Sequence, residues 1–295
     1  PRVRRQRQMC IRDSYRVKES TLANYRTKAL NHILPEFGHI PASDINSDKM
    51  YSFIEKKRNE GLSNRYIGDI IVLMKSVFKY AVKTYCIYNP MEGVSLPRKK
   101  TSDIRLLDKK EQLCLEEYVS KIHNSTTLGI TLAMTTGIRI GELCALQWKD
   151  IDLEKRILTV SKTVQRIQLH EADRKTKLII TEPKSESSKR IIPIPEAVVA
   201  FLKEMRENDE DFVVSGTSRV IEPRTMQYRF AKILKNVNLP SVHFHALRHM
   251  FASNCIRLGF DIKALSEILG HSSVEITLNR YVHSSFEQKT EYMNR

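Results

Sequence analysis

The apolar positions of this chain fall into three regimes. Between Ser20 and residue 96 they recur at steps of three and four, the spacing of one helix face. "STLANYRTKALNHILPEF" opens on a Ser/Thr cap and places Leu22, Tyr25, Ala29, Leu30 and Ile33 on one side, with Pro35 expected to end the helix. "NSDKMYSFIEKKRNEG" predicts a second helix closed by Gly61. "LSNRYIGDIIVLMKSVFKYAVKTY" predicts a third, capped near Ser63, with Ile67, Ile70, Ile71, Met74, Phe78 and Val82 as its apolar face.

The periodicity stops at "NPMEGVSLPRKKTSDIRLL", where prolines, a glycine and a Lys/Arg run mark a linker. Helical spacing returns in "DKKEQLCLEEYVSKI" and "TTLGITLAMTTG", followed by "IRIGELCALQW". A two-residue period then takes over. "RILTVSKTVQRIQLH", "KLIITEP" and "KRIIPIP" predict a small antiparallel sheet around a polar turn. Helices resume with "EAVVAFLKEMRE" and "RTMQYRFAKILKNV".

In the last helical stretch, Leu247, Phe251, Cys255 and Leu258 form an apolar face, and Gly259 stops the helix. The next helix turns Ile262, Leu265, Ile268 and Leu269 inward, and Gly270 ends it, leaving His271 in the turn. Tyr281 closes a third short helix. The expected architecture is mostly α with a small antiparallel β-sheet (α+β). A helical domain covers residues 15–97, a basic linker 98–104 and a second domain 105–295. Residues 1–14, "PRVRRQRQMCIRDS", have no helix or strand period and read as a non-native or disordered basic segment outside the fold.

Composition narrows the partners. Lys and Arg number 49 against 34 Asp and Glu, a net charge of +15. A chain this basic meets a polyanion, and nucleic acid ranks first because neutralised phosphates release counterions. A membrane surface ranks lower: the charge is dispersed, and apolar runs such as "DIIVLMKSVF" are broken by charge well below spanning length. The five cysteines stand far apart without ligand spacing, which fits reduced, mostly buried thiols in a cytoplasmic protein and no zinc site.

The chemistry-bearing residues crowd into "HALRHMFASNCIRLGFDIKALSEILGHSSVEITLNRY". His245 and Arg248, three apart, share the face of a helix start. Each residue alone has a bland reading: a histidine caps, an arginine meets solvent, a tyrosine packs its ring. In combination, "HALRH", "LGHSS" and "RYVH" resemble the C-terminal signature of the tyrosine recombinase, or phage integrase, family. The resemblance implies a site of His245, Arg248, His271 and the nucleophile Tyr281. "TTGIRIGELCALQW" resembles the family's upstream arginine box, implying Arg139 with Glu142 as an orienting acid. "TEPKSESSKRIIPIP" resembles the hairpin that carries the family's lysine, implying Lys184, with Lys177 and Lys189 as neighbouring alternatives. His271 and Tyr281 stand ten residues apart, and a long β-rich insert separates Arg139 from Lys184. Both look more like integrases of Gram-positive phages and conjugative transposons, which often carry a further N-terminal arm-binding domain.

The set also makes physical sense without the family. In-line attack on a phosphodiester gathers charge on the non-bridging oxygens. Two guanidiniums match that geometry and remain charged, and each good contact of this kind contributes on the order of 3 kcal/mol. A tyrosine hydroxyl ordinarily holds its proton to about pH 10, so it needs an acceptor or a strong field. The 5′-oxygen leaves poorly and needs a proton, the task the resemblance gives Lys184. A phosphotyrosyl bond would conserve the energy of the cut strand, so no cofactor or metal is expected.

The resemblance further implies cleavage and rejoining of double-stranded DNA at core sites, to integrate or excise a mobile element. A homotetramer would act on two sites, with accessory directionality or host DNA-bending factors. Arg98, Lys99 and Lys100 would contact DNA as two basic domains close around it. The alternatives are a type IB topoisomerase-like cleaver and a non-catalytic helix-turn-helix protein.

Overall fold

The computed structural model describes residues 18–98, 105–169, 175–183 and 186–281. The chain divides into two compact units, Pro1–Asp103 with Ile167–Lys177 and Ile104–Arg166 with Leu178–Arg295.

In the first unit, α1 (Glu19–Lys28) runs through a π-helical turn, Ala29–Ile33, into a last helical turn, Leu34–Phe37. Pro35 does not end this helix. It sits at the start of the last turn, where a missing amide hydrogen is tolerated, and the chain leaves the helix at Gly38. The π turn adds a residue, so a 3.6-residue stripe read across it does not stay on one face. Leu30, inside that turn, is exposed; Tyr25, in the regular helix before it, is exposed too, while Ala23 and Lys28 are buried.

Helix α2 (Ser47–Asn59) starts where the Asn46 side chain accepts from the Lys49 amide. Helix α3 (Asn64–Tyr85) starts where the Ser63 side chain accepts from the Tyr66 amide. Their apolar faces meet in a core of Met50, Phe53, Ile54, Ile67, Ile70, Ile71, Met74 and Phe78.

In the second unit, α4 (Lys109–Lys121) and α5 (Ser125–Thr136) begin with capping boxes on Asp108 and Asn124. Helix α6 (Ile140–Ala145) precedes the strands. Strands β1 (Ile151–Asp152), β2 (Ile157–Val160) and β5 (Arg190–Pro193) form one antiparallel sheet in the order β1-β2-β5. Strands β3 (Thr163–Gln168) and β4 (Thr176–Thr181), whose Ile167–Lys177 stretch is counted with the first unit, pair in a second sheet. The single sheet expected from sequence is thus two, and β5 pairs with β2 rather than with β4. Leu158 of β2 stands opposite Ile192 of β5, and both side chains are buried. That shared burial fixes the register, since a one-residue slip of either strand would turn its own apolar residues outward.

The chain then forms α7 (Glu196–Met205), α8 (Pro223–Asn236), α9 (His245–Arg257), α10 (Ile262–Leu269) and α11 (Val274–Tyr281). Helix α9 packs against α5 inside a core that includes Leu128, Leu132, Trp148, Phe230 and Leu247. One expected core residue is misplaced: Leu258 is 77% exposed, because α9 ends at Arg257 and the chain turns at Gly259.

Candidate active site

Two glycine turns build the site. Gly137 ends α5 with φ +63°, and a Cβ there would lie 2.5 Å from Phe251 and 2.9 Å from Leu269. Its close approach lets its carbonyl accept from Arg248 Nη1 at 2.7 Å. Gly270 ends α10 with φ +64°. The carbonyls before and at this turn receive guanidiniums: Arg248 Nη2 donates to Leu269 at 2.6 Å and Arg139 Nη2 to Gly270 at 2.8 Å. Helix C-terminal carbonyls carry partial negative charge and lack helical partners, so cations settle there.

Arg139 is the N-cap of α6, and Glu142 answers it twice. Its carboxylate accepts from the Arg139 amide at 3.1 Å and from Arg139 Nη1 at 2.8 Å. The other carboxylate contact is Arg190 of β5, whose Nη2 lies 2.8 Å from Glu142 Oε2. Burial alone would raise the Glu142 pKa. The bond to Arg190 and the charges of Arg190 and Arg139 outweigh it and hold the group below the usual carboxylate range.

Arg139, Arg248, His245, His271 and Arg280 line a cavity of about 280 Å³. Burial, then the charge of His249 and the flanking arginines, brings the His245 pKa down to about 4. Burial and then Arg248 and Arg139 bring that of His271 to about 3. Both imidazoles are neutral at pH 7. Arg248 is pulled to about 9, first by burial and then by Arg139, and is still protonated. Burial and then gathered positive charge keep both histidines unprotonated, and the same positive charge suits an incoming anion.

Tyr281 lies behind the cavity wall. Its ring stacks on His271 at 6.0 Å with 7° between planes, and meets the His249 ring at 5.1 Å. It is buried among Ala252, Cys255, Leu265 and Leu269, and its hydroxyl has no hydrogen-bond partner among the described residues. His271 Nδ1 is 2.8 Å from Thr277 Oγ1 on the same helix as Tyr281, and Thr277 is fully buried.

The structure brings Arg139, Glu142, His245, Arg248 and His271 together and packs Tyr281 against them. Lys184, Lys99, Lys100 and residues 282–295 lie outside the described residues. Lys177 is exposed on β4, and Lys189 pairs with Glu182 at 3.0 Å. Arg98 belongs to the first unit and is exposed, its carbonyl accepting from Asn64 Nδ2 at 3.0 Å. Sequence reasoning passed over Arg190, His249 and Arg280. His249 stands in "HALRH" and Arg280 directly before Tyr281, so adjacency was a usable signal for both. Arg190 gave none, being the second of two basic residues at a strand start.

Among the described residues, no group of three His, Cys, Asp or Glu side chains is placed to hold a metal ion. None of their helices is long and apolar enough to cross a membrane. Cys144 and Cys255 are buried, with thiols pushed up by burial to about 12 and about 11. Cys86 is exposed, so the expectation of burial fails there. A larger hollow of about 470 Å³ near the start of α5 offers hydroxyls with Arg229 and Lys232, but no nucleophile beside a base.

Three guanidiniums and two neutral imidazoles around one cavity, with a tyrosine ring packed behind its wall, form a site suited to an anion. Residues 105–288 match the Phage integrase family, and residues 14–58 match the phage integrase N-terminal SAM-like domain. The chain is 30% identical to a "Tyrosine recombinase XerC-like" of Caldanaerobacter subterraneus subsp. tengcongensis, covering 92% of this chain and 76% of the relative. It is 26% identical to the ICEBs1 integrase of Bacillus subtilis, covering 85% and 70%. The fold matches the Tn1549 transposon integrase, solved with a circular intermediate DNA, at TM-score 0.79 and 24% identity over 98% and 97% of the two chains. This chain belongs to the phage integrase family and is a tyrosine recombinase, an enzyme of site-specific DNA recombination.

Proposed function

We propose that the protein cuts and rejoins duplex DNA at core sites through a covalent 3′-phosphotyrosyl intermediate, to integrate or excise a mobile element. The carrying observation is the one cavity that holds Arg139, Arg248, His245 and His271, with the Tyr281 ring stacked on His271 behind its wall. Arg139 and Arg248 clamp the non-bridging oxygens of the scissile phosphate. Tyr281 Oη attacks phosphorus in line, neutral His245 accepts its proton, and the P–O5′ bond breaks. Lys184 gives the leaving 5′-oxygen its proton. His271 donates to a phosphate oxygen. Glu142 orients Arg139. Arg98, Lys99 and Lys100 bind the DNA backbone, which makes affinity salt-dependent. Exchange needs four strand cuts, so four copies assemble on two sites, and directionality or DNA-bending proteins join them. The buried position of Tyr281 requires α11 to shift before attack.

A nicked suicide duplex carrying the element's core site tests this reading. The expected product is a denaturation-resistant adduct whose DNA maps to Tyr281. An adduct mapping elsewhere overturns the nucleophile assignment. Relaxation of supercoils without a cognate site makes the protein a topoisomerase-like cleaver instead. For the lysine, Lys184→Ala is expected to slow cleavage of ordinary DNA and to recover on a substrate with sulfur as the 5′ leaving atom. Recovery by Lys177→Ala or Lys189→Ala alone moves the role to that residue.

A further inference from the structure

Three guanidiniums reach three consecutive carbonyls at the end of α10. Arg190 Nε donates to Ile268 at 2.6 Å, Arg248 Nη2 to Leu269 at 2.6 Å and Arg139 Nη2 to Gly270 at 2.8 Å. Arg139 and Arg248 line the cavity, whereas Arg190 does not. The Arg190 side chain is 6% exposed, and each of its nitrogens has a partner: Ile268, the Ser188 carbonyl at 3.1 Å, and Glu142 Oε2 at 2.8 Å. Glu142 is 4% exposed and gives its other oxygen to Arg139. The carboxylate is thus a bridge with one guanidinium on each side.

We propose that Arg190 is a positioning residue for DNA cleavage, holding Glu142 so that Arg139 is aimed at the scissile phosphate, and tying β5 to the end of α10. Burying a guanidinium costs more than burying an apolar residue of similar volume, so packing alone does not explain an arginine here. Its fork meets a carboxylate and two carbonyls at fixed angles, which an apolar chain or a lysine does not do. Gly270 supports the same arrangement. A Cβ there would stand 2.9 Å from Arg190 Cδ and 3.0 Å from the Ser187 carbonyl, so the turn is shaped around this arginine. Arg190 never touches the phosphate; it acts through Glu142 and Arg139.

The inference rests on the recombinase reading, and its test separates the two. Arg190→Lys keeps the charge and loses the fork. Arg190→Gln keeps a hydrogen-bonding head and loses the charge. Melting temperature and core-site DNA affinity are measured first, then single-turnover adduct formation on suicide duplexes with a phosphate or a methylphosphonate at the scissile position. A methylphosphonate is uncharged and draws less on a guanidinium clamp. Both variants are expected to bind DNA within about twofold of wild type and to cleave ordinary phosphate about tenfold to a hundredfold more slowly. The deficit should shrink on the methylphosphonate. A folded Arg190→Lys protein that cleaves at the wild-type rate overturns the proposal, as does a deficit equal on both substrates. If Arg190→Gln does not fold, Arg190→Lys decides alone. If neither variant folds, Arg190 is a folding residue and the proposal fails. Wild-type protein that forms no adduct on any core site refutes the recombinase reading and the Arg190 role together.

Discussion

Helices α3 and α9 solve opposite problems. Helix α3 buries Ile67, Ile70, Ile71, Met74 and Phe78 and leaves Asp69, Val72 and Lys79 to water. Helix α9 buries Ala246, Leu247 and Met250, but also Arg248 and His249. One helix has a dry face and a wet one. The other carries chemistry into the dry side. The contrast teaches that amphipathic spacing reports where a helix packs only when its polar residues stay in solvent. Where they are buried for a purpose, the stripe dissolves, and hydrogen-bond partners replace water. Arg248 takes the carbonyls of Gly137 and Leu269 for this reason.

The largest effect that separates the two regions is catalytic. Tyr281→Phe is expected to lower adduct formation by on the order of 10⁴–10⁶. Its melting temperature should hold or rise slightly, because the lost hydroxyl is buried without a partner among the described residues. Gel analysis of suicide-substrate reactions, with calorimetry alongside, checks both halves. The reverse profile belongs to α3. Ile71→Ala is expected to cost about 2–5 kcal/mol by denaturant unfolding. Once folded, that variant should cleave core-site DNA at a near-normal rate. A folded Ile71→Ala protein that has lost cleavage would erase the distinction between the two helices.

A smaller effect follows from the histidines. His245 and His271 have folded pKa values of about 4 and about 3, below the unfolded value near 6.5. The unfolded chain therefore binds more protons in the window between those values. Stability from these groups is fully present above pH 6.5 and drains away as pH falls through 4 toward 3. Unfolding midpoints measured from pH 7 to pH 4 should show the decline. It should shrink in a His245→Gln/His271→Gln protein. The smallest effect is expected for Thr277→Val, which fills the same buried space and removes the partner of His271 Nδ1, at about 1 kcal/mol.

Much of this was legible beforehand, and unevenly so. The Ser63 cap, the long stripe of α3 and the αL turn at Gly270 were readable because local rules govern them. The boxes that hold Arg139, His245, Arg248, His271 and Tyr281 were readable because their order resembles a family's. Strand pairing was not, since choosing β2 over β4 as the partner of β5 depends on which residues share the core. The π-helical turn before Pro35 shifted a face that regular spacing placed wrongly. Arg190 hid in a basic pair, because nothing local distinguishes a surface arginine from one whose three partners are far apart in sequence. The burial of Tyr281 was equally invisible, as its neighbours come from two other helices, α9 and α10.

The carbonyl row at the end of α10 has a consequence for reorganisation. An arginine in bulk water must shed and reorder its solvent when an anion arrives. Here Arg139 and Arg248 are already anchored to fixed backbone oxygens, with Gly270 and Leu269 in the place of mobile water. Their orientation is settled when the chain folds, so in the proposed reaction little solvent would remain to be rearranged as a phosphate enters. The helix end serves these two arginines as a frozen hydration shell.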